Sequence, residues 1–222
     1  MRKAFTLSEV LITLVIIGVV AAISIPVLQE NYLEKERISK VKKSYSMLAN
    51  AMTLVKADGG DMVFEVANDS DENMRNWFEE YLEPHIIKLK VCYNKSGCWN
   101  EGNTRNLNGS SVYYNRTGIG VGANIITVIL QDGTFLNIDA YGKASIAKYF
   151  GMDIETDNAL VVFFDINGAK KPNMMGKDIF VTVFTENGLV PAWSDRLTTE
   201  READCSGKGT GYACINNYLT KF

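Results

Sequence analysis

Residues Phe5 to Leu28 read FTLSEVLITLVIIGVVAAISIPVL. Within this stretch the 19 residues from Val10 to Leu28 carry no charge. A bilayer core of about 30 Å is crossed by a helix of about 20 apolar residues, so the run is long enough to span. Arg2 and Lys3 precede it, and Glu9 is its one carboxylate. An acid inside a spanning segment costs about 2.5–3.5 kcal/mol on insertion scales and marks function by default. A secretory signal would have an apolar core of about 7–15 residues with a small-residue cleavage site behind it. Here the core is longer, and Ile25, Pro26 and Val27 stand where that site would fall. An uncleaved anchor accounts for the length but gives no reason for Glu9.

Beyond the apolar run the pattern becomes amphipathic. Ile38, Val41, Tyr45, Leu48, Met52 and Val55 recur at spacings of 3, 4, 3, 4 and 3 residues, which is one stripe on a helix. Lys40, Lys43, Ser44 and Asn50 are assigned to the opposite face, and Gly59-Gly60 ends the element. One helix is therefore expected from the apolar run to residue 57, its second half laid on the chain's own globular domain. Gly18 adds backbone freedom and Pro26 removes a hydrogen bond, so bending or local melting is expected over residues 19–25.

The remainder is one domain. Net charge is −3 and the pI near 5.3, which gives no global basic footprint for nucleic acid. A helix is expected from the capping-box pattern Asp69-Ser70-Asp71-Glu72 through Met74, Trp77, Phe78, Tyr81 and Leu82 to Pro84. His85 is the only histidine and reads as a turn residue. Residues 101–111 read as a loop. Strands are expected at 112–117, 125–130, 134–138, 159–166, 179–184 and 189–193, with Asp132-Gly133, Asn167-Gly168 and Asn187-Gly188 as turns. Residues 141–150 read as a short helix or loop.

Cys92, Cys98, Cys205 and Cys214 form two local couples. In an exported domain the simplest arrangement is two local disulfides, although spacing alone leaves connectivity open. The Cys-x2–4-Cys spacing of zinc sites is absent. Asp165, Asn167 and Asp178 are the oxygen ligands a calcium loop would use, but the EF-hand pattern is not met, and an Asn-Gly turn with Asp caps is the favoured reading. No cofactor and no metal are expected. The Gly-rich run between Cys205 and Cys214 lacks the phosphate-loop signature and reads as a disulfide-tied surface loop. No nucleophile–base constellation is present, so an enzyme is not expected.

Met1-Arg2-Lys3-Ala4, followed by Phe5-Thr6-Leu7-Ser8-Glu9-Val10-Leu11, resembles the leader and amino terminus of type IV pilins and type II secretion pseudopilins. The resemblance implies that a prepilin peptidase cuts between Ala4 and Phe5 and methylates Phe5. It makes Glu9 the assembly acid and matches Gly18 and Pro26 to the family's Gly and Pro. Ala4 stands where the family usually has Gly. The implied fold is α+β and pilin-like: a long N-terminal helix, membrane half plus amphipathic half, packed on an antiparallel sheet. The implied domains are 1–4 (leader), 5–28 (membrane and assembly), 29–57 (amphipathic) and 58–222 (extracytoplasmic).

The implied role is a structural subunit of a type IV pilus-like or type II secretion pseudopilus filament. Its partners are the peptidase, other pilin-like subunits, an inner-membrane assembly platform and the membrane, and nucleic acid is not expected. The competing class is a membrane-tethered or tip-located binding module for DNA, surfaces or cargo. Arg105, Arg116, Lys170, Lys171, Lys177 and Lys208 are its candidate contacts.

Overall fold

The structure, a computed structural model, describes residues 6–60, 71–100, 104–112, 125–185 and 187–221. The processing pair Ala4 and Phe5, the Asp69-Ser70 cap, residues 113–117 of the expected strand and Arg116 lie outside the described residues. The chain divides into two compact units, Met1–Ser39 and Lys40–Phe222.

Helix α1, Leu7–Ala57, contributes to both. Its first part is apolar and exposed, from Leu7 (79% exposed) to Leu28 (66%). It is long and apolar enough to cross a membrane. Pro26 lies inside the helix, and residues 19–25, expected to bend or melt, are helical.

In the second unit, Val41, Ser44, Leu48, Ala51, Met52 and Val55 of α1 are buried. Lys40, Lys43 and Asn50 are exposed as expected, but Ser44 is not on that face. Counting turns from Val41, the inward face widens to i, i+3, i+4 and i+7, and a serine there is small enough to sit against the domain. Ile38 and Tyr45 are half-buried. Tyr45 Oη donates to the Leu189 carbonyl at 2.9 Å, Lys43 Nζ bonds Asp132 at 2.8 Å, and the Lys56 ammonium lies over the Phe184 ring at 5.6 Å. His85 Nε2 pairs with Asp58 at 2.7 Å just past the helix end.

Helix α2, Asp71–Trp77, runs on through a π turn, Phe78–Leu82, and a 3-10 turn, Glu83–His85. Met74, Trp77, Phe78 and Leu82 are buried, which makes this aromatic face core. Six strands follow: β1 Lys88–Tyr93, β2 Ile126–Leu130, β3 Phe135–Gly142, β4 Asn158–Asp165, β5 Ile179–Thr185 and β6 Gly188–Pro191. They form one antiparallel sheet in sequence order. β1 was not expected from the sequence, and Val112 is not in a strand.

β4 and β5 are buried along their whole length, because both faces of the sheet are covered. One face carries Leu160, Val162, Phe180 and Phe184; the register with β3 puts Val161, Phe163 and Asp139 on the other. Residues 143–150 supply a helical turn, α3 Lys143–Ser145, and a π turn, Ile146–Phe150. Phe150 packs edge-on against Phe163 at 5.9 Å and stacks on Tyr212 at 5.8 Å. Two short helices, α4 Thr198–Asp204 and α5 Ile215–Thr220, close the chain. The result is an α+β fold: a 51-residue N-terminal helix and a six-stranded antiparallel sheet.

Candidate assembly site and loop cluster

At the start of α1, Thr6 and Glu9 exchange hydrogen bonds. The Thr6 amide and hydroxyl donate to Glu9 Oε2 at 2.9 and 2.8 Å, and the Glu9 amide donates to Thr6 Oγ1 at 3.3 Å. This is a reciprocal capping box, and it gives Glu9 a partner inside its own chain. The sequence marks Glu9 as a costly acid inside an apolar run, and the Thr-x-x-Glu spacing at residues 6–9 is the signal for the cap. Oε1 takes no part in these bonds. Both Gly18 and Pro26 are helical, and nothing lies within 4 Å of where a Cβ on Gly18 would sit.

A second constellation lies in the other unit, where three loops are hydrogen-bonded together. Cys92 is bonded to Cys98 and Cys205 to Cys214. The 205–214 loop is held from its start by Asp204, which the sequence did not single out. Its carboxylate accepts the Thr210 amide and hydroxyl, each at 2.7 Å, and the Ala213 amide at 2.9 Å. Residues 104–112 bridge this loop to the 165–178 turn. Leu107 N donates to Thr210 O at 2.9 Å, Arg105 N to Asn173 O at 3.0 Å and Met175 N to Arg105 O at 2.8 Å.

The 165–178 turn is held by two buried carboxylates. Asp165 Oδ1 accepts the Asn167 amide N–H at 3.0 Å and Oδ2 the Asn100 side chain at 2.8 Å. Asp178 Oδ1 accepts Met174 N at 2.6 Å, while Oδ2 accepts Asn173 N at 2.8 Å and Asn167 Nδ2 at 3.2 Å. Every carboxylate oxygen thus faces an N–H group, the arrangement of capping aspartates in a turn. Burial pushes the Asp165 carboxyl up to about 8, and the neighbouring Asp178 charge adds to the shift. Burial also raises Asp178, against the pull of its amide donors. On the sheet, burial pushes Asp139 up to about 7, with Tyr141 opposing.

Comparison with protein families matches residues 1–25 to the prokaryotic N-terminal methylation motif, the leader of type IV pilins and pseudopilins. The chain carries a prepilin leader. Neither the curated proteins nor the solved structures contain a match to it.

The matched residues 1–25 include Glu9 and Gly18 and end just before Pro26. The described residues do not include Phe5, so no amine–carboxylate pair is described. Among the candidate cations, Arg105, Lys170, Lys171, Lys177 and Lys208 are exposed, and all five lie on the three bonded loops. Among the described residues no group of three or more His, Cys, Asp or Glu side chains could hold a metal ion.

Proposed function

We propose that the chain is a structural subunit of a filament of the type IV pilus or type II secretion pseudopilus kind. A prepilin leader makes it a pilin-like substrate of a prepilin peptidase; the filament role is the step beyond that. What carries the reading is the exposed, uncharged run of α1 directly behind the processing point, with Glu9 at its head. Such a helix has two homes in which water is excluded, the inner membrane and a bundle of like helices.

In this reading the subunit waits as a single-pass membrane protein with residues 58–222 outside the cytoplasm. Cleavage between Ala4 and Phe5 exposes an amine. An assembly platform lifts the subunit out, and the Phe5 amine of one copy meets the Glu9 carboxylate of another. A cation at a buried carboxylate offsets its desolvation, whereas a partnerless buried charge costs about 3–5 kcal/mol. The pair therefore sets axial register while the apolar surface supplies non-directional attraction. The subunit performs no reaction and needs no cofactor. Mass spectrometry of the mature protein tests the scheme: a methylated Phe5 at the amino terminus is expected. An intact Met1, or a terminus beyond Pro26, removes its basis.

A second reading is favoured by the gathering of Arg105, Lys170, Lys171, Lys177 and Lys208 on adjoining loops. A tip-located subunit could use them to hold an anionic partner. Binding of DNA that weakens steeply with added salt is the expected sign; salt-insensitive or absent binding leaves the structural role alone.

A further inference from the structure

We propose that the two ends of the sheet are complementary interaction surfaces, the basic loops at one end of one copy receiving the acidic β3–β4 connection of a second copy. The register fixes which loops share an end. Gly142 pairs with Asn158 where β3 leaves the sheet and β4 enters it. Phe135 and Ile179 both pair with Asp165 at the far end of β4. The β3–β4 connection and the 165–178 turn therefore stand at opposite ends of an eight-residue strand, about 23 Å apart at about 3.3 Å per residue.

The 165–178 end is basic. Lys170 and Lys171 lie on the turn. Arg105 forms a backbone bridge with Met174, whose carbonyl accepts the Lys177 amide. Asn108 Nδ2 donates to the Lys208 carbonyl at 3.2 Å. A Cβ on Gly176 would lie 2.6 Å from Cys214 Sγ, so turn and disulfide loop touch. All five cationic side chains are exposed, and among the described residues none is in an ion pair. The acids at this end are spent: Asp132 on Lys43, and the buried Asp165, Asp178 and Asp204 on N–H groups.

The other end is acidic. Asp153, Glu155 and Asp157 are exposed and likewise outside any described ion pair. The Asp153 amide donates to Asp195 Oδ2 at 3.1 Å, which brings in a fourth carboxylate. The same connection carries Lys143 and Lys148, the latter over the Tyr149 ring, and the carboxylates outnumber them.

Elsewhere in this domain opposite charges meet within the chain, Arg75 with Glu79 and Lys88 with Glu83. The two ends cannot do so, because the sheet holds them farther apart than the screening length of about 8 Å at physiological salt. Two copies satisfy both sets when the basic end of one meets the acidic end of the next. Such a contact is heterologous: each copy keeps one free end of each sign, and repetition builds an open polymer unless the rotation closes a ring. Exposed ion pairs are individually weak, so free domains stay apart. Copies held side by side by their α1 helices meet at high effective concentration. The inference rests on the filament reading for its use, while the contact itself is measured without filaments.

The test uses the full chain in phospholipid vesicles, reconstituted from a mixture of unlabelled and heavy-nitrogen protein. A water-soluble carbodiimide joins an amine to a carboxylate in contact with it. Mass spectrometry should find peptides linking Lys170, Lys171, Lys177 or Lys208 of one label to Asp153, Glu155 or Asp157 of the other. Their yield should fall several-fold between about 0.1 M and about 1 M sodium chloride, as the screening length shortens from about 10 Å to about 3 Å. One end is reversed by Lys170→Glu, Lys171→Glu and Lys177→Glu, the other by Asp153→Lys, Glu155→Lys and Asp157→Lys. Either reversal should cut the yield about tenfold or more, and both in one chain should restore it. If a triple variant does not form both disulfides, Lys177→Glu and Glu155→Lys replace it. Absent or randomly placed links between copies, or a double reversal that folds without restoring them, overturn the proposal. So does salt-sensitive binding of duplex DNA by the wild type in place of self-linking, which gives the cations to nucleic acid. End-to-end links without a methylated Phe5 would sink the filament reading and leave the contact; a methylated Phe5 without such links would do the reverse.

Discussion

Glu9 caps its own helix through Oε2, and its second carboxylate oxygen, Oε1, takes no part in the cap. Cap and charge are separable by substitution. Glu9→Gln keeps a carbonyl oxygen for the Thr6 amide, while Glu9→Ala removes the acceptor and with it one half of the capping box. If the carboxylate pairs with the Phe5 amine of a neighbouring copy, both variants insert in the membrane and both fail to assemble. A loss of about 3–5 kcal/mol at that contact exceeds a hundredfold. Filaments counted by electron microscopy check this; normal filaments from Glu9→Gln would reduce Glu9 to a helix cap. Asp139 makes a residue-scale prediction of another kind. Its folded pKa, about 7, lies above the value of about 3.9 for an unfolded aspartate. The folded state therefore holds the proton between those values, and stability is full below about 4 and is lost as pH rises through about 7. Denaturant titrations of Asp139→Asn should lose the part of the pH dependence that falls between about 4 and 7.

Among the elements, those with a strong local pattern were legible. β2, β4 and β5 are predominantly apolar runs, and Asp132-Gly133 and Asn187-Gly188 mark the turns beside them. β1 was missed because Lys-Leu-Lys-Val-Cys-Tyr alternates lysine with apolar residues. That is the composition of an edge strand protected against further pairing, and it is easily taken for a loop. Ser44 was misplaced because a stripe drawn through large side chains overlooks small residues on the same face. Asp165 and Asp178 were legible as caps of the Asn167-Gly168 turn, but their full sets of donors, and Asp204 altogether, were illegible for a different reason. Their donors are backbone amides and a distant Asn100, whose meeting depends on how three loops pack. A glycine pair tests that packing. Gly133 (φ +86°) and Gly176 (φ +75°) share a left-handed backbone, but nothing lies within 4 Å of a Cβ on Gly133. Gly133→Ala should cost the backbone strain alone, about 1–2 kcal/mol. Gly176→Ala must in addition displace the Cys205–Cys214 bridge, and chemical denaturation should show the larger loss there.

At the scale of the whole molecule, apolar surface is unevenly shared. Of the 20 large apolar side chains that the described residues expose, 16 lie between Leu7 and Leu33, and only Leu54, Ile87, Leu89 and Leu197 lie beyond. The second unit has its own core, and α1 takes part in it from Val41 onward. Two truncations separate these roles. A fragment of residues 29–222 lacks the uncharged run but keeps Val41, Leu48, Met52 and Val55. It should be soluble, form both disulfides and remain monomeric by size-exclusion chromatography. A fragment of residues 58–222 loses those four side chains and uncovers the sheet around Phe184, over which Lys56 lies. At about 2–5 kcal/mol for each large buried side chain removed, the loss rivals the about 5–15 kcal/mol that holds a whole domain together. The shorter fragment should therefore aggregate or give the circular dichroism of an unfolded chain. A well-folded 58–222 would mean that the second half of α1 is a strut with no part in the core. Membrane retention of 29–222 would mean that the anchor does not end where the uncharged run does.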